Sequence, residues 1–343
     1  MISPILKGFL EIVYILIFFV YKNNVTVYNE INQTESTYKG VEFIMKTIGF
    51  IGLGIMGKPM ALNLIKGGYD VKVFDINEQA VAELASHGAT PALTPKETAE
   101  GSDVIITMLP KSEHVLSVVL NENGVIHEAK PGSIVIDMSS ITPVVSKQIA
   151  ETLAASGVHM MDAPVSGGEP KAIDGTLAIM VGGKPDVFES ALPVLQCMGE
   201  SITLVGDHGC GTTAKLANQI MVNVNIAAMS EALVLAAKAG IDVEKMYEAI
   251  RGGLAGSAVL DAKVPLILER NFEAGGRIDI NLKDLTNVMD TAHSIGVPLP
   301  ISSQVLEIFH SMALDGKAAD DHGGIVQYYE KLAKVEVRKG VSI

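Results

Sequence analysis

A glycine-rich segment near position 52 has the composition and spacing of a phosphate-binding turn. Its six residues, Gly52-Leu53-Gly54-Ile55-Met56-Gly57, match G-x-G-x-x-G and lie between an apolar run and a helix-compatible run. In such a turn the first glycine reverses the chain, the second admits a diphosphate close to the backbone, and the third lets helix and strand pack. The diphosphate then faces free N–H groups and the positive end of the helix dipole. The segment therefore predicts a dinucleotide site.

An acidic residue at the expected distance supports that prediction and indicates which dinucleotide binds. Asp75 ends the apolar run VKVFD, at roughly the 20-residue spacing where a carboxylate takes the ribose hydroxyls. A carboxylate there repels a 2′-phosphate, and Ile76-Asn77 supplies no arginine, so we expect NAD(H) rather than NADP(H). The alternative is a structural turn with Asp75 as a solvated strand end. We also assign to the cofactor site the residues that end DVIITMLP: Met108, Leu109 and Pro110.

Lys215 is the best-placed proton donor in the sequence. Hydride transfer between a nicotinamide and a carbonyl needs such a donor, together with a site for the substrate's carboxylate. Lys215 lies just inside a long helical run after GCGTTA, and Asn218 lies one turn on, along the same face. From these residues alone, a solvated helix lysine is the favoured interpretation of Lys215, and a packing or capping residue that of Asn218. The histidines in surface-like contexts offer no better donor: His87, His114, His127 and His159.

Two further segments could bind the substrate's carboxylate. DMSSITP, residues 137–143, follows an apolar run and offers the hydroxyls of Ser139 and Ser140 where the carboxyl edge of a sheet faces a ligand. Ser166-Gly167-Gly168 offers a run of backbone donors that could cradle a carboxylate. The alternative for both is turn chemistry, with Ser139 capping a helix.

The elements that must position these residues alternate between strand and helix. From Thr47 onward, short apolar runs are separated by helix-compatible segments, which predicts an α/β doubly wound (Rossmann) sheet, mostly parallel and covered on both faces. From Thr212 to Ala239 the sequence has neither proline nor glycine, and only helical patterns follow. We therefore predict a nucleotide-binding domain over residues 45–208 and an all-α domain over 209–343, with GDHGCG as a hinge.

Composition excludes several classes of partner. The formal net charge of −13 disfavours nucleic acid and anionic membranes, although a small anionic substrate needs only a few local cations. Cys197 and Cys210 form neither a disulfide framework nor a cluster with metal-ligand spacing, so we expect no metal site and a reducing, cytoplasmic location.

Residues 1–44 are an extension, and three interpretations of it are open. The apolar run from Phe9 to Tyr21 is shorter than the roughly 20 residues that span a bilayer, and no small-residue cleavage site follows it. Met45 precedes the first predicted strand, and Lys39-Gly40-Val41 can be encoded by a purine-rich run that resembles a bacterial ribosome-binding site. We favour translation from Met45 over a loosely attached tail or a membrane anchor, and amino-terminal sequencing decides among them.

Long segments outside the glycine turn resemble the β-hydroxyacid (3-hydroxyisobutyrate) dehydrogenases, which are related to 6-phosphogluconate dehydrogenase. They span the sequence from Met45 to its C-terminus; the extension is a departure from the family. Three segments look specifically like those members that reduce tartronate semialdehyde: KLANQIMVNVNIAAMSEAL, AIRGGLAGSAVLDAK and YYEKLAKVEV. The family-wide matches are GFIGLGIMGKPMA, DMSSITP, DAPVSGGEPKAIDGTLAIMVGG, the G-x-G-x-x-x-K-x-x-N segment from Gly209 to Asn218, and Lys283-Asp284-Leu285.

The resemblance implies a Rossmann domain, a long connecting helix, an all-helical domain and a cleft between them. It also implies NADH-dependent reduction of tartronate semialdehyde to D-glycerate, with Lys215 as the general acid and Asn218 positioning the substrate. Ser139, Ser166, Gly167 and Gly168 would bind the substrate, Ser140 would lie near the nicotinamide, and Lys283 would close over both. The segment from Asp320 to Gly324 resembles a family segment, but we expect only a polar turn there.

Other functions remain open at this point. Another short semialdehyde or 3-hydroxyacid, such as 3-hydroxyisobutyrate, could be the substrate, because discrimination by one small group rests on a few side chains. The chain could also be an NAD-binding module without catalysis, or an interaction protein held at a membrane by residues 9–21. The helix from Thr212 to Ala239 is apolar nearly all round, which indicates a homo-oligomer, either a dimer or a tetramer.

Overall fold

A computed structural model describes residues 45–273 and 275–340. The alternatives for residues 1–44 therefore concern a part of the chain outside the described residues.

The described chain begins with strands that join into one sheet. The strands are β1 (Thr47–Ile51), β2 (Asp70–Phe74), β3 (Thr90–Pro91), β4 (Val104–Thr107), β5 (Ile134–Asp137), β6 (His159–Asp162), β7 (Val165–Ser166), β8 (Leu177–Gly182) and β9 (Gly199–Gly206). The order β3-β2-β1-β4-β5-β6 is parallel throughout. Beyond it, β8 is antiparallel to β6 and to β7, and β9 is parallel to β8.

Helices cover both faces of this sheet. Side chains alternate along each strand, so a strand can contribute to a buried cluster on each face. On β4, Val104 and Ile106 belong to one buried cluster and Ile105 belongs to another. The helices are α1 (Gly57–Lys66), α2 (Glu78–Ser86), α3 (Pro95–Ala99), α4 (Ser112–Leu120), α5 (Pro143–Ala154), α6 (Gly168–Asp174) and α7 (Pro185–Gln196).

Several of these helices begin at residues whose chemistry favours a start. The Asn77 side chain accepts hydrogen bonds from the first backbone N–H groups of α2, and Thr94 does so for α3. Pro143 and Pro185 stand in the first turns of α5 and α7, where a missing N–H costs nothing.

The rest of the described chain is helical. Its helices are α8 (Cys210–Lys238), α9 (Val243–Ile250), α10 (Ala258–Leu268), α11 (Ile278–Ser294), α12 (Pro300–Met312) and α13 (Val326–Ala333). A π-helical turn at Ala313–Lys317 and a 3-10 turn at His322–Ile325 connect the last two. By length and composition alone α8 could cross a membrane, but half of its most apolar window is buried inside the protein. It is the central helix of this domain's core.

The structure confirms the predicted fold class, a Rossmann-like sheet followed by a helical domain, and differs at one edge. The sequence does not predict β9, whose side chains alternate between exposed and half-buried positions. The run TLAIMVGG does form a strand, β8, but it lies antiparallel to its neighbour β6.

The segment between β9 and α8, where the sequence predicts a hinge, is a tight turn held by several polar contacts. Lys184 forms an ion pair with Asp207 at 2.6 Å, and the His208 imidazole Nε2 lies 3.0 Å from the Met160 carbonyl oxygen. The Gly209 N–H donates to the Asp162 carboxylate at 2.8 Å. These bonds join the turn to β6 and to the residue before α7, so it is not a free connection. The predicted division between residues 208 and 209 falls inside this turn.

Candidate active site

The glycine segment forms the turn between β1 and α1. Gly52 has φ +100°, and a Cβ there would lie 2.3 Å from the Met108 carbonyl oxygen. A Cβ on Gly57 would lie 1.9 Å from the Gly52 carbonyl oxygen, so the first and third glycines are required by close contacts. A Cβ on Gly54 would meet nothing within 4 Å. The space beside the second glycine is therefore open, as a cradle for a diphosphate needs.

Asp75 lies directly beside this turn. Its Oδ2 accepts a hydrogen bond from the Leu53 N–H at 2.6 Å, and its Oδ1 accepts one from the Asn77 N–H at 2.7 Å. The carboxylate is thus held at the end of β2, and the next side chain, Ile76, is 95% exposed. The residues present fit a dinucleotide whose ribose faces an acidic group.

The position of Ser139 does not fit the substrate-binding role that was expected for it. Its side chain is completely buried, and its hydroxyl oxygen accepts a hydrogen bond from the Leu109 N–H at 2.8 Å. Its own N–H donates to Asp137 Oδ1 at 3.1 Å, and the Thr107 hydroxyl donates to the same oxygen at 2.8 Å. The Ser139 hydroxyl therefore supports the Met108–Pro110 turn and is not offered to a substrate.

Asp137, which holds Ser139, is itself fully buried at the end of β5. Burial raises the pKa of Asp137 to about 6, although hydrogen bonds from Ser139 and Thr107 oppose the rise. Its Oδ2 has no hydrogen-bond partner among the described residues. Through its Oδ1, the Asp137 carboxyl group therefore holds the backbone N–H of Ser139 in the DMSS turn.

Ser140 is one of the points at which the two domains meet. Its carbonyl oxygen accepts hydrogen bonds from Lys283 Nζ at 3.1 Å and from Asn287 Nδ2 at 3.4 Å. Both donors lie on α11, four residues apart and so on one face of the helix. The structure thus brings Lys283 to the Ser140 carbonyl oxygen and adds Asn287, to which no motif pointed.

Lys215 lies in the second turn of α8 and is only 8% exposed. Burial lowers the pKa of the Lys215 ammonium from its ordinary value of 10.5; the Asp284 carboxylate opposes this and the Lys283 charge adds to it. A buried amine beside a carboxylate can exchange a proton closer to neutral pH than a solvated lysine can. Such a group can donate a proton to an oxyanion.

A chain of polar contacts links Asn218 to Lys283 across the two helices. Asn218 Nδ2 donates to Gln219 Oε1 at 3.0 Å, and Gln219 Nε2 donates to Asp284 Oδ2 at 2.6 Å. Asp284 Oδ1 lies 2.9 Å from Lys283 Nζ in an ion pair. No sequence pattern predicts a role for Gln219, and the Lys-Asp-Leu match is the one signal for Asp284.

Ser166, Gly167 and Gly168 form the turn between β7 and α6. Gly167 and Gly168 have φ values of 139° and 71°, which only glycine adopts without strain. A Cβ on Gly168 would lie 3.7 Å from the carbonyl oxygen of Gly275 in the helical domain. The turn therefore faces a loop of the second domain, as a substrate site between domains requires.

Asp321 holds the loop that faces Gly168. The sequence predicts only a polar turn at this residue, so its role was missed. Its Oδ2 accepts N–H bonds from Gly275 at 3.0 Å and Gly276 at 2.9 Å, and Lys263 Nζ lies 2.8 Å away. The neighbouring His322 packs against Gly276, and burial, with the Lys263 charge adding, lowers the pKa of the imidazole to about 4. A buried polar cluster therefore backs the loop that lies opposite Gly168.

The other histidines lie where the sequence predicts. Four are exposed: His87, His114, His127 and His159. Within residues 45–273 and 275–340, no group of three His, Cys, Asp or Glu side chains could hold a metal ion.

Comparisons with known proteins agree with the fold and indicate the family. A family model described as the NAD binding domain of 6-phosphogluconate dehydrogenase matches residues 47–206, and one described as the NAD-binding of NADP-dependent 3-hydroxyisobutyrate dehydrogenase matches residues 209–329. The chain is 42% identical to a 2-hydroxy-3-oxopropionate reductase of Escherichia coli, over 83% of this chain and 98% of that protein. It is 38% identical to a 2-(hydroxymethyl)glutarate dehydrogenase of Eubacterium barkeri, over 85% of this chain and 98% of that protein.

A solved structure is also similar to this chain. A 3-hydroxyisobutyrate dehydrogenase of Mycobacterium tuberculosis, solved with L-serine, matches with a TM-score of 0.77 and 31% identity, covering 83% of this chain and 99% of that chain. Fold and site together define an NAD(P)-dependent oxidoreductase that acts on a hydroxyl group. Within that class, the chain belongs to the β-hydroxyacid dehydrogenase family.

The correction at Ser139 can be tested with Ser139→Ala. The change leaves the half-buried Leu109 N–H without its acceptor, so we expect a loss of about 1–3 kcal/mol in the free energy of unfolding. Because Leu109 belongs to the predicted cofactor site, the Kd for NADH should rise, whereas the KM for the substrate at saturating NADH should not. Urea unfolding and NADH fluorescence titration measure the two effects. A raised substrate KM with unchanged NADH binding would restore the original expectation.

Proposed function

We propose that this protein reduces tartronate semialdehyde (2-hydroxy-3-oxopropionate) to D-glycerate with NADH. Bound NADH supplies the hydride, and the Lys215 ammonium gives a proton to the carbonyl oxygen, so that the aldehyde becomes an alcohol. The observation that carries this proposal is the buried Lys215 on α8, beside Asp284 and Lys283 of α11. Burying an ammonium costs free energy, and the lowered pKa of Lys215 suits it to proton transfer.

The remaining assignments follow from the positions of the polar groups. We assign the substrate's carboxylate to the Ser166 hydroxyl and the N–H groups of Gly167 and Gly168, whose conformation presents backbone donors. Asn218 donates to Gln219, which leaves its Oδ1 to accept from the substrate's hydroxyl. Lys283, bonded to the Ser140 carbonyl oxygen, closes the site on the nicotinamide side.

The cofactor proposal rests on Asp75 and the glycine turn. The Asp75 carboxylate beside the Leu53 N–H would repel a 2′-phosphate, and the exposed Ile76 supplies no positive charge. We therefore propose NADH over NADPH. The diphosphate would lie over Gly54, with Leu53, Ile55 and Met56 around it and the Met108–Pro110 turn beside it.

The substrate proposal is supported by the 42% identity to the Escherichia coli reductase. Relatives with other printed activities are also similar, and they include 3-hydroxyisobutyrate dehydrogenase of Pseudomonas aeruginosa at 36% identity. A different short semialdehyde is therefore the second candidate. A non-catalytic NAD-binding module is disfavoured, because it would have no use for a buried lysine.

We further propose a homo-oligomer, either a dimer or a tetramer, in the cytoplasm. Met221 and Leu235 on α8 are 64% and 72% exposed, and a second copy of the chain would cover such apolar surface. Both cysteines are free, which fits a reducing compartment. The net charge of −13 argues against nucleic acid and anionic membranes as partners.

The purified chain tests the substrate and cofactor together. Loss of NADH absorbance is followed with tartronate semialdehyde, methylmalonate semialdehyde and succinate semialdehyde, and again with NADPH. We expect kcat/KM to be at least about tenfold higher for tartronate semialdehyde than for the others, since one misplaced small group costs that much. NADH should be preferred over NADPH. Preference for another aldehyde would move the protein to a sister activity, and absence of any turnover would refute catalysis.

Lys215→Met removes the proposed proton donor while keeping the length of the side chain. We expect kcat to fall by about 10²- to 10⁴-fold, with NADH binding retained. The matched control is Lys238→Met, at the exposed far end of the same helix, which should keep full activity. Undiminished turnover in the Lys215 variant, measured under the same conditions, would show that another group carries the proton.

The pH dependence follows from the protonation state that each direction needs. Reduction uses the Lys215 ammonium, and oxidation of glycerate uses the neutral amine. Because burial lowers the pKa of Lys215 below 10.5, oxidation should rise with pH to a midpoint below that value, and reduction should fall over the same range. Asp284 opposes the lowering and Lys283 adds to it. Asp284→Asn should therefore move the oxidation midpoint to lower pH, and a shift to higher pH would contradict the assignment.

A further inference from the structure

Asp162 lies at the junction of β6 and α8, completely buried. Its Oδ1 accepts the Gly209 N–H at 2.8 Å, and its Oδ2 accepts the Thr212 N–H at 2.7 Å and the Thr212 hydroxyl at 3.2 Å. One side chain of the nucleotide-binding domain thus receives three hydrogen bonds from the start of the helix that carries Lys215.

These bonds replace a cap that α8 lacks in its own sequence. The residue before the helix is Gly209, in the left-handed conformation at φ 85°, and it offers no side chain. The first backbone N–H groups of a helix have no partner within it, and the positive end of the dipole favours an anion. The Asp162 carboxylate supplies both a hydrogen-bond acceptor and an anion to this helix end, from a strand 47 residues before Gly209 in the chain.

The same junction is closed by direct backbone contact. A Cβ on Gly182, at the end of β8, would lie 2.7 Å from the Gly211 nitrogen. A Cβ on Gly211 would lie 2.4 Å from the Asp162 carbonyl oxygen and 2.5 Å from that of Met180. The backbone at the start of α8 therefore lies directly against the backbone of β6 and β8, with no side chain between them.

Both halves of the proposed active site are attached to this point. On the helix, Lys215 follows Thr212 by three residues, which is about 4.5 Å along the axis and on the same face. On the strand side, the chain runs from Asp162 through β7 to Ser166, and β7 pairs with β8, which ends at Gly182. A shift at Asp162 therefore changes the position of Lys215 relative to the Ser166–Gly168 turn.

We propose that Asp162 is a positioning residue that sets the distance between the Lys215 amine and the substrate-binding turn Ser166–Gly168. The inference rests on the proposed function of Lys215. Asp162 touches neither substrate nor cofactor in this proposal; it acts by fixing the first turn of α8 against the end of β6. Misplacement of a reacting group by about 1 Å costs about 10²-fold in rate, so a small displacement of this turn has a large kinetic effect.

Asp162→Asn tests the proposal with little change in shape. The amide places an NH2 group against one of the two backbone N–H donors, so one bond becomes a repulsion and the helix start must shift. We expect the single-turnover rate of NADH oxidation to fall by about 10- to 100-fold. The Kd for NADH should stay within about twofold, because the glycine turn lies on other strands. The isotope effect with 4-deuterated NADH should remain or increase, since the chemical step slows.

Glu330→Gln is the matched control. Glu330 is also a buried carboxylate, 7% exposed, and it holds Arg270 and the Val337 N–H near the C-terminus. We expect it to lower the Tm while leaving the single-turnover rate unchanged well below the transition. An Asp162→Asn protein that is folded and keeps the wild-type rate would overturn the proposal, as would an equal loss of rate in the control.

Thr212→Val provides the second measurement if Asp162→Asn fails to fold. It removes the hydroxyl donor and keeps both backbone bonds, so the rate should fall by about two- to fivefold, the effect of one hydrogen bond. An unchanged rate would contradict the positioning role of Asp162. These outcomes are separate from failure of the proposed function, which would appear in the wild-type protein as absence of turnover.

Discussion

The burial of one positive charge, the Lys215 ammonium, is the constraint on which the rest of the site depends. An ammonium withdrawn from water must have partners of opposite charge or lose its proton. Asp284 is the nearby carboxylate, and it is shared with Gln219 and Lys283. The lysine and its carboxylate lie on different helices, so the charge balance of the site exists only when α8 and α11 are packed together.

The sheet gathers the remaining groups because parallel strands deliver their carboxyl ends to one edge. Gly52 follows β1, Asp75 follows β2, Met108 follows β4 and Met138 follows β5. Asp162 itself ends β6. One topology therefore places the glycine turn, the Asp75 carboxylate and the hydrogen bonds from Asp162 to the start of α8. The helical domain needs to contribute only the groups that face this edge.

Two adjacent serines show the limit of predicting a residue's role from its type. Ser139 and Ser140 are equivalent in the sequence, and both follow a predicted strand. In the structure the Ser139 side chain points into the protein and binds the Leu109 backbone, whereas Ser140 presents its carbonyl oxygen to Lys283. Both serines lie in the turn after β5, and which group of this turn faces the site depends on the turn's conformation, which no local pattern encodes.

The same limit applies to Asp162 and Asp321. Each occurs in a segment recognised from the sequence, yet each acts on backbone groups 45 or more residues away in the chain. Their roles come from the packing of distant elements, and nothing in their immediate neighbours distinguishes them from solvated acids. Gln219 is a further example, since a glutamine within a helix has no local signature.

The sequence by itself determined the alternation of strands and helices, the dinucleotide turn, the acidic residue after β2 and the switch to an all-helical second half. These features are local, because hydrophobic period, glycine spacing and the distance from turn to carboxylate act over a few tens of residues. Only the tertiary structure decided that Lys215 is buried beside Asp284, that Ser139 supports the cofactor turn, and that the segment before α8 is clamped. Those outcomes depend on contacts between residues far apart in the chain, where burial and charge pairing, and not local propensity, set the free energy.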